Sequence, residues 1–165
     1  MDAKTDETTS RGTPLILAGV FLGVGLGGFF DGIVLHQILQ WHHMLSSVRP
    51  LTSRHNIDLN MVWDGLFDAF DWVITVIGVV LLWQAGKRDD VPWSANIFFG
   101  SVLGGAGFFN LIEGIIDHQI LGIHHVKPGP NQLIWDLGFL ASGVLLILVG
   151  WRITQSKNGS TNAAI

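Results

Sequence analysis

Two matching stretches of this sequence hold six of its seven histidines. The first, GIVLHQILQWHH, covers residues 32–43, and the second, GIIDHQILGIHH, covers residues 114–125. They repeat at a spacing of 82 residues, the difference between the numbers of His36 and His118. Because imidazole nitrogen is a ligand of copper, iron, zinc and haem iron, the paired stretches indicate a metal site or a haem site.

Carboxylates lie beside both histidine stretches. Asp31 directly precedes the first stretch and Glu113 directly precedes the second, at the same 82-residue spacing. Imidazole and carboxylate together form ligand sets for divalent metal ions. The chain has no cysteine, which excludes thiolate ligands, and only three methionines, which argues against a copper(I) carrier.

The composition indicates a membrane protein. Only 13% of the residues are charged while 48% are hydrophobic, and the mean hydropathy is +0.45. Four apolar stretches, at about 14–35, 61–84, 94–121 and 132–152, can each supply the roughly 20 residues that cross a bilayer. The first is expected to continue as a helix through its histidine motif. The net charge of −4 comes with no basic patch, so nucleic-acid binding has no support.

We therefore predict an all-α integral membrane four-helix bundle. The 82-residue spacing also relates Gly23 to Gly105 and Gly25 to Gly107, so the bundle is expected to consist of two helical hairpins repeated in the same orientation. Small residues let membrane helices approach closely. We expect these four glycines and Gly27 to bring spans one and three together.

The predicted transmembrane domain covers residues 14–153, with repeats at about 14–85 and 94–153. Residues 1–13 and 154–165 are polar and are predicted to be disordered tails that face the cytoplasm. The orientation follows from lysine and arginine, which concentrate on the cytoplasmic side of membrane proteins. The six on the predicted cytoplasmic side are Lys4, Arg11, Lys87, Arg88, Arg152 and Lys157, and the three on the other side are Arg49, Arg54 and Lys127.

Counting along each span at 1.5 Å per residue puts acids and histidines in one layer near the outer face of the membrane. The members of this layer are Asp31, His36, Asp64, Asp68, Glu113, Asp117, His118 and Asp136. The layer contains no lysine and no arginine. A carboxylate buried in a bilayer needs a proton, a hydrogen-bond donor or a cation as a partner. We therefore predict a metal ion among these side chains.

The candidate ligands are ranked in three groups. The first and innermost is His36, His118, Asp31 and Glu113; next come His43, His125 and Asp64; and then His42, His124, Asp117, Asp68 and Asp136. The seven-residue spacing of His36 and His43 would put both on one face of a helix. Three alternatives remain open at this point. Asp64 and Asp136 could cap the outer starts of spans two and four, and the outer histidines could cap helix ends. His36 and His118 could instead make structural hydrogen bonds to glutamine or aspartate across the bundle.

Four functions fit this ligand set. The first is a redox metalloprotein with one or two ions, for which copper is preferred over iron and iron over zinc. The second is a b-type haem protein with axial ligands His36 and His118, disfavoured because no arginine is near to receive the propionates. The third is a proton or cation transporter along Asp64, Asp68 and Asp71, disfavoured by the apolar inner half of the spans. The fourth is a metal or haem delivery factor that assembles a respiratory oxidase.

The segments GFFDGIVLHQILQWHHMLS, VWDGLFDAF and IEGIIDHQILGIHH resemble a bacterial family of four-span membrane proteins, domain of unknown function 2243. The resemblance covers roughly residues 14–153 and implies a multi-pass protein of the bacterial inner membrane, with its site on the periplasmic side. The family is similar in setting to cytochrome oxidase assembly proteins, which favours copper or haem handling. Its partners are then the lipid bilayer and a respiratory oxidase or another membrane protein, and the sequence is compatible with an oligomer.

Overall fold

A computed structural model describes residues 3–156 of the chain, with side chains from Arg11 onward. Within this part the chain is all-helical, which confirms the predicted fold class. The elements are α1 (Ala3–Phe29), π1 (Phe30–Ile38), α2 (Arg54–Gly86), α3 (Ala95–Glu113), π2 (Gly114–Ile120) and α4 (Gln132–Gln155). Helix α1 continues directly into π1, and α3 into π2. In the described part of the chain, four helical segments, α1–π1, α2, α3–π2 and α4, are long and apolar enough to cross a membrane.

The ends of the outermost helices differ from the expected domain bounds. Helix α1 begins at Ala3 and therefore includes residues 3–13, which the sequence predicts to be part of a disordered tail. Helix α4 ends at Gln155, two residues beyond the expected end of the domain. The rest of the predicted C-terminal tail, residues 157–165, lies outside the described residues.

Helices α1 and α3 form the centre of the bundle. Helix α1 packs on α2 and α3, and α3 packs also on α4, which gives two hairpins joined through their first helices. A Cβ atom on Gly23 would overlap the backbone oxygen of Val102, and one on Gly105 would overlap that of Val20. The two central helices therefore approach backbone to backbone, as small residues allow in membrane bundles.

The expectation that five glycines join spans one and three was wrong for two of them. Gly25 faces Asp71 and Thr75 of α2. Gly107 faces Gly143 of α4, whose backbone oxygen would lie 2.5 Å from an added Cβ. The reason is the helical period of 3.6 residues, which puts residues two apart on nearly opposite faces. These two glycines bring the outer helices close to the centre.

The chain leaves the helix earlier than predicted, because π1 ends at Ile38 and does not continue through the first histidine motif. Gln40 has φ of +48°, and Gly122 has φ of +57° after π2. This left-handed conformation interrupts a right-handed helix, and only glycine adopts it without steric cost. His42 and His43 therefore follow the helix in a loop, and the argument from seven-residue helical spacing was wrong.

Both central helices widen at their ends into π-helix. The N–H of Leu39 donates to the C=O of Val34 at 2.8 Å, and the N–H of Leu121 donates to that of Ile116 at 2.8 Å. These bonds join residues five apart, where an α-helix joins residues four apart. Each turn therefore holds more residues than an α turn, and π segments of this kind are frequent at functional sites.

The close approach of α1 and α3 makes a stability prediction. Gly105→Ala should lower the free energy of unfolding by about 1–3 kcal/mol, because the added methyl group overlaps the backbone of α1. The measurement is the unfolding midpoint on titration with sodium dodecyl sulfate in mixed micelles.

The matched control is Gly104→Ala, at the neighbouring position of α3, where an added Cβ has nothing within 4 Å. This change should be neutral or slightly stabilising, since alanine favours a helix more than glycine does. Equal loss of stability in the two variants would contradict the packing described.

Candidate metal centre

Four buried histidine rings form a continuous row where π1, π2 and the loops that follow them meet. The rings of His42 and His124 stack face to face, with centroids 4.8 Å apart and planes at 5°. The ring of His36 lies 4.5 Å from that of His42, and the ring of His118 lies 4.8 Å from that of His124. None of the four residues is more than 2% exposed. The two sequence stretches thus meet in one cluster.

The π turns bring one carboxylate beside each end of this row. In π1, Asp31 Oδ2 lies 2.9 Å from His36 Nε2. Glu113 is the last residue of α3, directly before π2, and its Oε1 lies 3.4 Å from His118 Nε2. Residues five apart lie on different sides of an α-helix, so the wider turn is what pairs these groups. The five-residue spacing from acid to histidine, which occurs in both halves of the sequence, indicates this pairing only if the turn is a π turn. A period of 3.6 residues does not predict it.

The two central histidines each bond to the loop that follows the other stretch. His42 Nδ1 donates to the backbone oxygen of Val126 at 2.7 Å, and His124 Nδ1 donates to that of Met44 at 3.1 Å. A carbonyl oxygen only accepts, so each Nδ1 carries the hydrogen. In the neutral ring the lone pair is then on Nε2, the atom that is free to bind a metal. Such outer hydrogen bonds orient metal-binding histidines in proteins.

Asp64 joins two histidines of the first stretch. Its Oδ1 lies 3.1 Å from His36 Nδ1 and accepts the backbone N–H of Met44 at 2.8 Å. Its Oδ2 lies 2.5 Å from His43 Nδ1. Asp64 is in the interior of α2, whose N-cap is Ser53, so the capping alternative was wrong for this residue.

Asp136 has the same position in the second half. Its Oδ2 lies 2.7 Å from His125 Nδ1, and its Oδ1 lies 3.6 Å from His118 Nδ1 and accepts the N–H of Val126 at 3.0 Å. It does not cap α4 either, because the N-cap there is Asn131. His125, like His43, therefore lies on the far side of an aspartate from the row of four rings.

Two sets of three side chains could each hold a metal ion. One is His36, His42 and His124, and the other is Glu113, His118 and His124. Within each set the ligand atoms all lie within 4.8 Å of one another, and all five side chains are buried. His124 is common to both sets, but its single Nε2 lone pair can bind only one ion, so the two sets are overlapping alternatives for this ligand.

Many polar atoms of this cluster are buried without a hydrogen-bond partner among the described residues. They are both carboxylate oxygens of Asp31, Glu113 Oε2, the Nε2 atoms of His36 and His42, and both ring nitrogens of His118. An unsatisfied buried polar atom costs about 1–3 kcal/mol. A metal ion would satisfy several of these atoms at once, so the donor set fits such an ion.

Burial keeps the shared histidine neutral. Burial lowers the pKa of His124 below its ordinary value of 6.5, although the contact of its Nε2 with Glu113 Oε1 at 3.0 Å acts in the other direction. The neutral ring is the form that binds metal ions. His124 is therefore ready to act as a ligand at neutral pH.

Two of the expected acidic ligands lie apart from both sets. Asp68 packs against Gly32 of π1, and its Oδ1 is buried without a hydrogen-bond partner. Asp117 is half-buried and lines an apolar groove between α2 and α3. The row of acids on α2 continues inward to Asp71, which is fully buried against Gly28 of α1.

A buried asparagine that the sequence analysis missed holds the first loop in place. Asn60 Oδ1 accepts the backbone N–H of Leu45 at 3.0 Å, and its Nδ2 donates to the backbone oxygen of Arg49 at 2.9 Å. Asn60 is one helical turn before Asp64, and this spacing was the available signal. The asparagine fixes the loop whose backbone contacts Asp64 and His124.

Residues 18–157 match the model of a family described as Predicted membrane protein (DUF2243). The matched region contains the whole row of four histidines and both acids beside it. No curated protein and no solved structure matches the chain.

The His124 environment makes a pH prediction. In the metal-free protein the ring should carry its hydrogen on Nδ1 and should titrate below pH 6.5, because burial disfavours the charged form. As the pH falls below 6.5, His124 takes up a proton in the unfolded chain before it does so in the folded chain. The contribution of His124 to the free energy of unfolding therefore decreases as the pH falls. The measurement is nitrogen NMR of labelled histidine, assigned with His124→Gln. A resonance that titrates above 6.5 would contradict this environment.

Proposed function

We propose that this chain, which belongs to the family described as Predicted membrane protein (DUF2243), is a membrane metalloprotein with a buried histidine–carboxylate centre. The observation that carries the proposal is the row of buried imidazoles whose ring nitrogens lie beside unpartnered carboxylate oxygens. Lone pairs that face each other repel, and a cation between them removes the repulsion. Imidazole and carboxylate are natural ligands for such a cation.

Charge balance supports the proposal. The ion-pair partners of Asp31, Asp64, Glu113 and Asp136 within the described part of the chain are all histidines. A histidine offers a positive charge only when it is protonated, and a buried carboxylate without a counter-charge is costly in a membrane. One or two divalent ions would supply the missing positive charge.

The nitrogen-rich ligand set favours copper, and we rank iron before zinc because zinc has no redox chemistry. Copper(II) binds nitrogen and oxygen ligands most strongly among the first-row divalent ions. The two ligand sets lie side by side, so two ions would be neighbours, as in dinuclear centres with ions about 3.5–4 Å apart, with His124 Nε2 bound to one of them. A copper or iron centre supplies electron transfer or oxygen chemistry, so the function we propose is redox-related.

Haem is disfavoured by the space between the outer rings. Axial ligation by His36 and His118 would need a macrocycle between these two residues. The rings of His42 and His124 lie there instead, at 4.5 Å from His36 and 4.8 Å from His118. Both central rings are also bonded to backbone oxygens, which keeps them in this space.

We further propose that the protein lies in the bacterial inner membrane with both termini in the cytoplasm and the centre on the periplasmic side. The distribution of lysine and arginine supports this orientation. At the end of the bundle that contains the candidate metal centre, Lys127 Nζ lies 4.5 Å from the ring of Trp41 and 5.4 Å from that of Trp135. Tryptophan and lysine in contact are typical of a membrane–water interface.

A metal delivery or assembly factor for a respiratory oxidase would use the same side chains. Such a factor must release its ion to a partner, so it needs an accessible site. Here His36 and His124 are 0% exposed, which favours a resident ion over one in transit.

The metal content of purified protein tests the centre directly. His124→Ala should lower bound copper or iron at least tenfold, because this histidine belongs to both ligand sets. The matched control is His55→Ala, which removes an exposed histidine and should leave the metal content unchanged. Elemental analysis gives the content, and circular dichroism checks that both variants are helical. Full occupancy in His124→Ala would exclude the proposed centre.

Resistance to chelation separates a resident centre from a delivery factor. The wild-type protein in mild detergent should keep its metal during dialysis against EDTA and should give an absorption or paramagnetic signal of copper or iron. Rapid loss of the metal, with transfer to an apo-oxidase, would favour the delivery function instead. A Soret band would identify haem and contradict both.

A further inference from the structure

An apolar groove of about 460 Å³ lies between α2 and α3. In the described part of the chain these helices pack on α1 rather than on each other, and Val24 of α1 contributes to the floor. The groove has the size of a small-molecule binding site. Its aromatic side chains are Trp63, Phe67, Phe70, Phe108 and Phe109.

The groove opens sideways from the bundle. Phe70 of α2 and Phe108 of α3 stand on its two walls, and they are 55% and 52% exposed. In a chain that spans the membrane, this side of the bundle faces lipid. A molecule dissolved in the bilayer would therefore reach the groove without passing through water.

One end of the groove reaches the candidate metal centre. Glu113 lines the groove and belongs to one of the two ligand sets. It is 5% exposed, its Oε1 lies 3.0 Å from His124 Nε2, and its Oε2 is buried without a hydrogen-bond partner. Asp117 lines the same groove, whereas no lysine or arginine is among the described side chains that line it.

We propose that this groove binds a quinol-class molecule, which has a hydroxylated aromatic ring and an apolar tail. The aromatic walls provide stacking surfaces for the ring. The carboxylates accept hydrogen bonds and so favour a neutral head group with O–H donors. They repel the phosphate of a phospholipid, for which the groove has no cation. The inference rests on the proposed function, because it names a substrate class for the same centre.

The groove belongs to one side of the bundle. At the 82-residue spacing, Leu26 stands in the position of Phe108, and Leu35 stands in that of Asp117. The matching side of the bundle therefore lacks an aromatic wall residue and an acid. We expect one quinol per chain.

The test is binding of decylubiquinol to the full chain in mild detergent, measured by isothermal titration calorimetry. The protein is first reduced with dithionite under anaerobic conditions, so that electron transfer does not contribute heat. The wild-type protein should bind one molecule saturably. Decylubiquinone, titrated into oxidised protein without dithionite, should bind more weakly, because it lacks the O–H groups that donate hydrogen bonds to Glu113.

Two matched variants locate the site. Ile112→Trp places a large ring in the groove and should weaken binding at least tenfold. Leu145→Trp makes a similar change at a position on α4 that is 60% exposed, and it should bind like the wild-type protein. Binding to Ile112→Trp with wild-type affinity, or no saturable binding to the wild-type protein, would overturn the inference. Displacement of the quinol by equimolar phosphatidylglycerol would assign the groove to lipid and would also overturn it.

Metal content measured on the same samples keeps this inference separate from the proposed function. Quinol binding by a protein that never contains metal would leave the groove in place and would refute the metal centre. Metal binding without quinol binding would refute the groove alone.

Discussion

The charge of carboxylates inside an apolar bundle is the constraint on which the rest of this structure depends. Asp31, Asp64 and Asp136 are each 1% exposed. A carboxylate removed from water without a partner costs several kcal/mol, more than most single contacts contribute to the stability of a protein. Histidine is the partner that the described part of the chain supplies to each of these acids. A histidine compensates that charge only when it is protonated, whereas a divalent ion would compensate several acids at once, and this is the physical reason for the metal ion that we propose in the same place.

The helical scaffold brings these groups together through three departures from regular helix packing. Glycines such as Gly23 and Gly105 let α1 and α3 approach until their backbones touch. The π turns then bring each acid to the same side as the histidine five residues later. Finally, the left-handed residues Gln40 and Gly122 turn the chain so that His42 and His124 fold back and form the middle of the row. The left-handed conformation is costly for Gln40, which is not a glycine, and it persists because the surrounding structure fixes it.

The sequence predicts the coarse arrangement because that arrangement depends on hydropathy and helix rise alone. The all-α bundle and the layer that contains Asp31, His36 and Glu113 follow from counting along apolar spans. The finer arrangement was beyond this reasoning, because it assumed a period of 3.6 residues throughout. That assumption put His43 on the face of His36, whereas His43 contacts the opposite side of Asp64. The left-handed conformation of Gln40 could not be anticipated from its residue type, although the glycine at the matching position 122 was a signal.

The two halves of the centre are similar but not equal, and the difference has a chemical consequence. The side chain of Glu113 is one methylene longer than that of Asp31, and its Oε1 lies 3.0 Å from His124 Nε2. The matching distance, from Asp31 Oδ2 to His42 Nε2, is 3.8 Å. The longer side chain also exposes Glu113 to the groove between α2 and α3, while Asp31 is enclosed. Among the described residues, Glu113 is therefore the one acid beside the row that connects the proposed metal centre to the groove. A symmetric pair of aspartates would enclose both ends of the row, so the glutamate gives the proposed centre one side from which a substrate can approach.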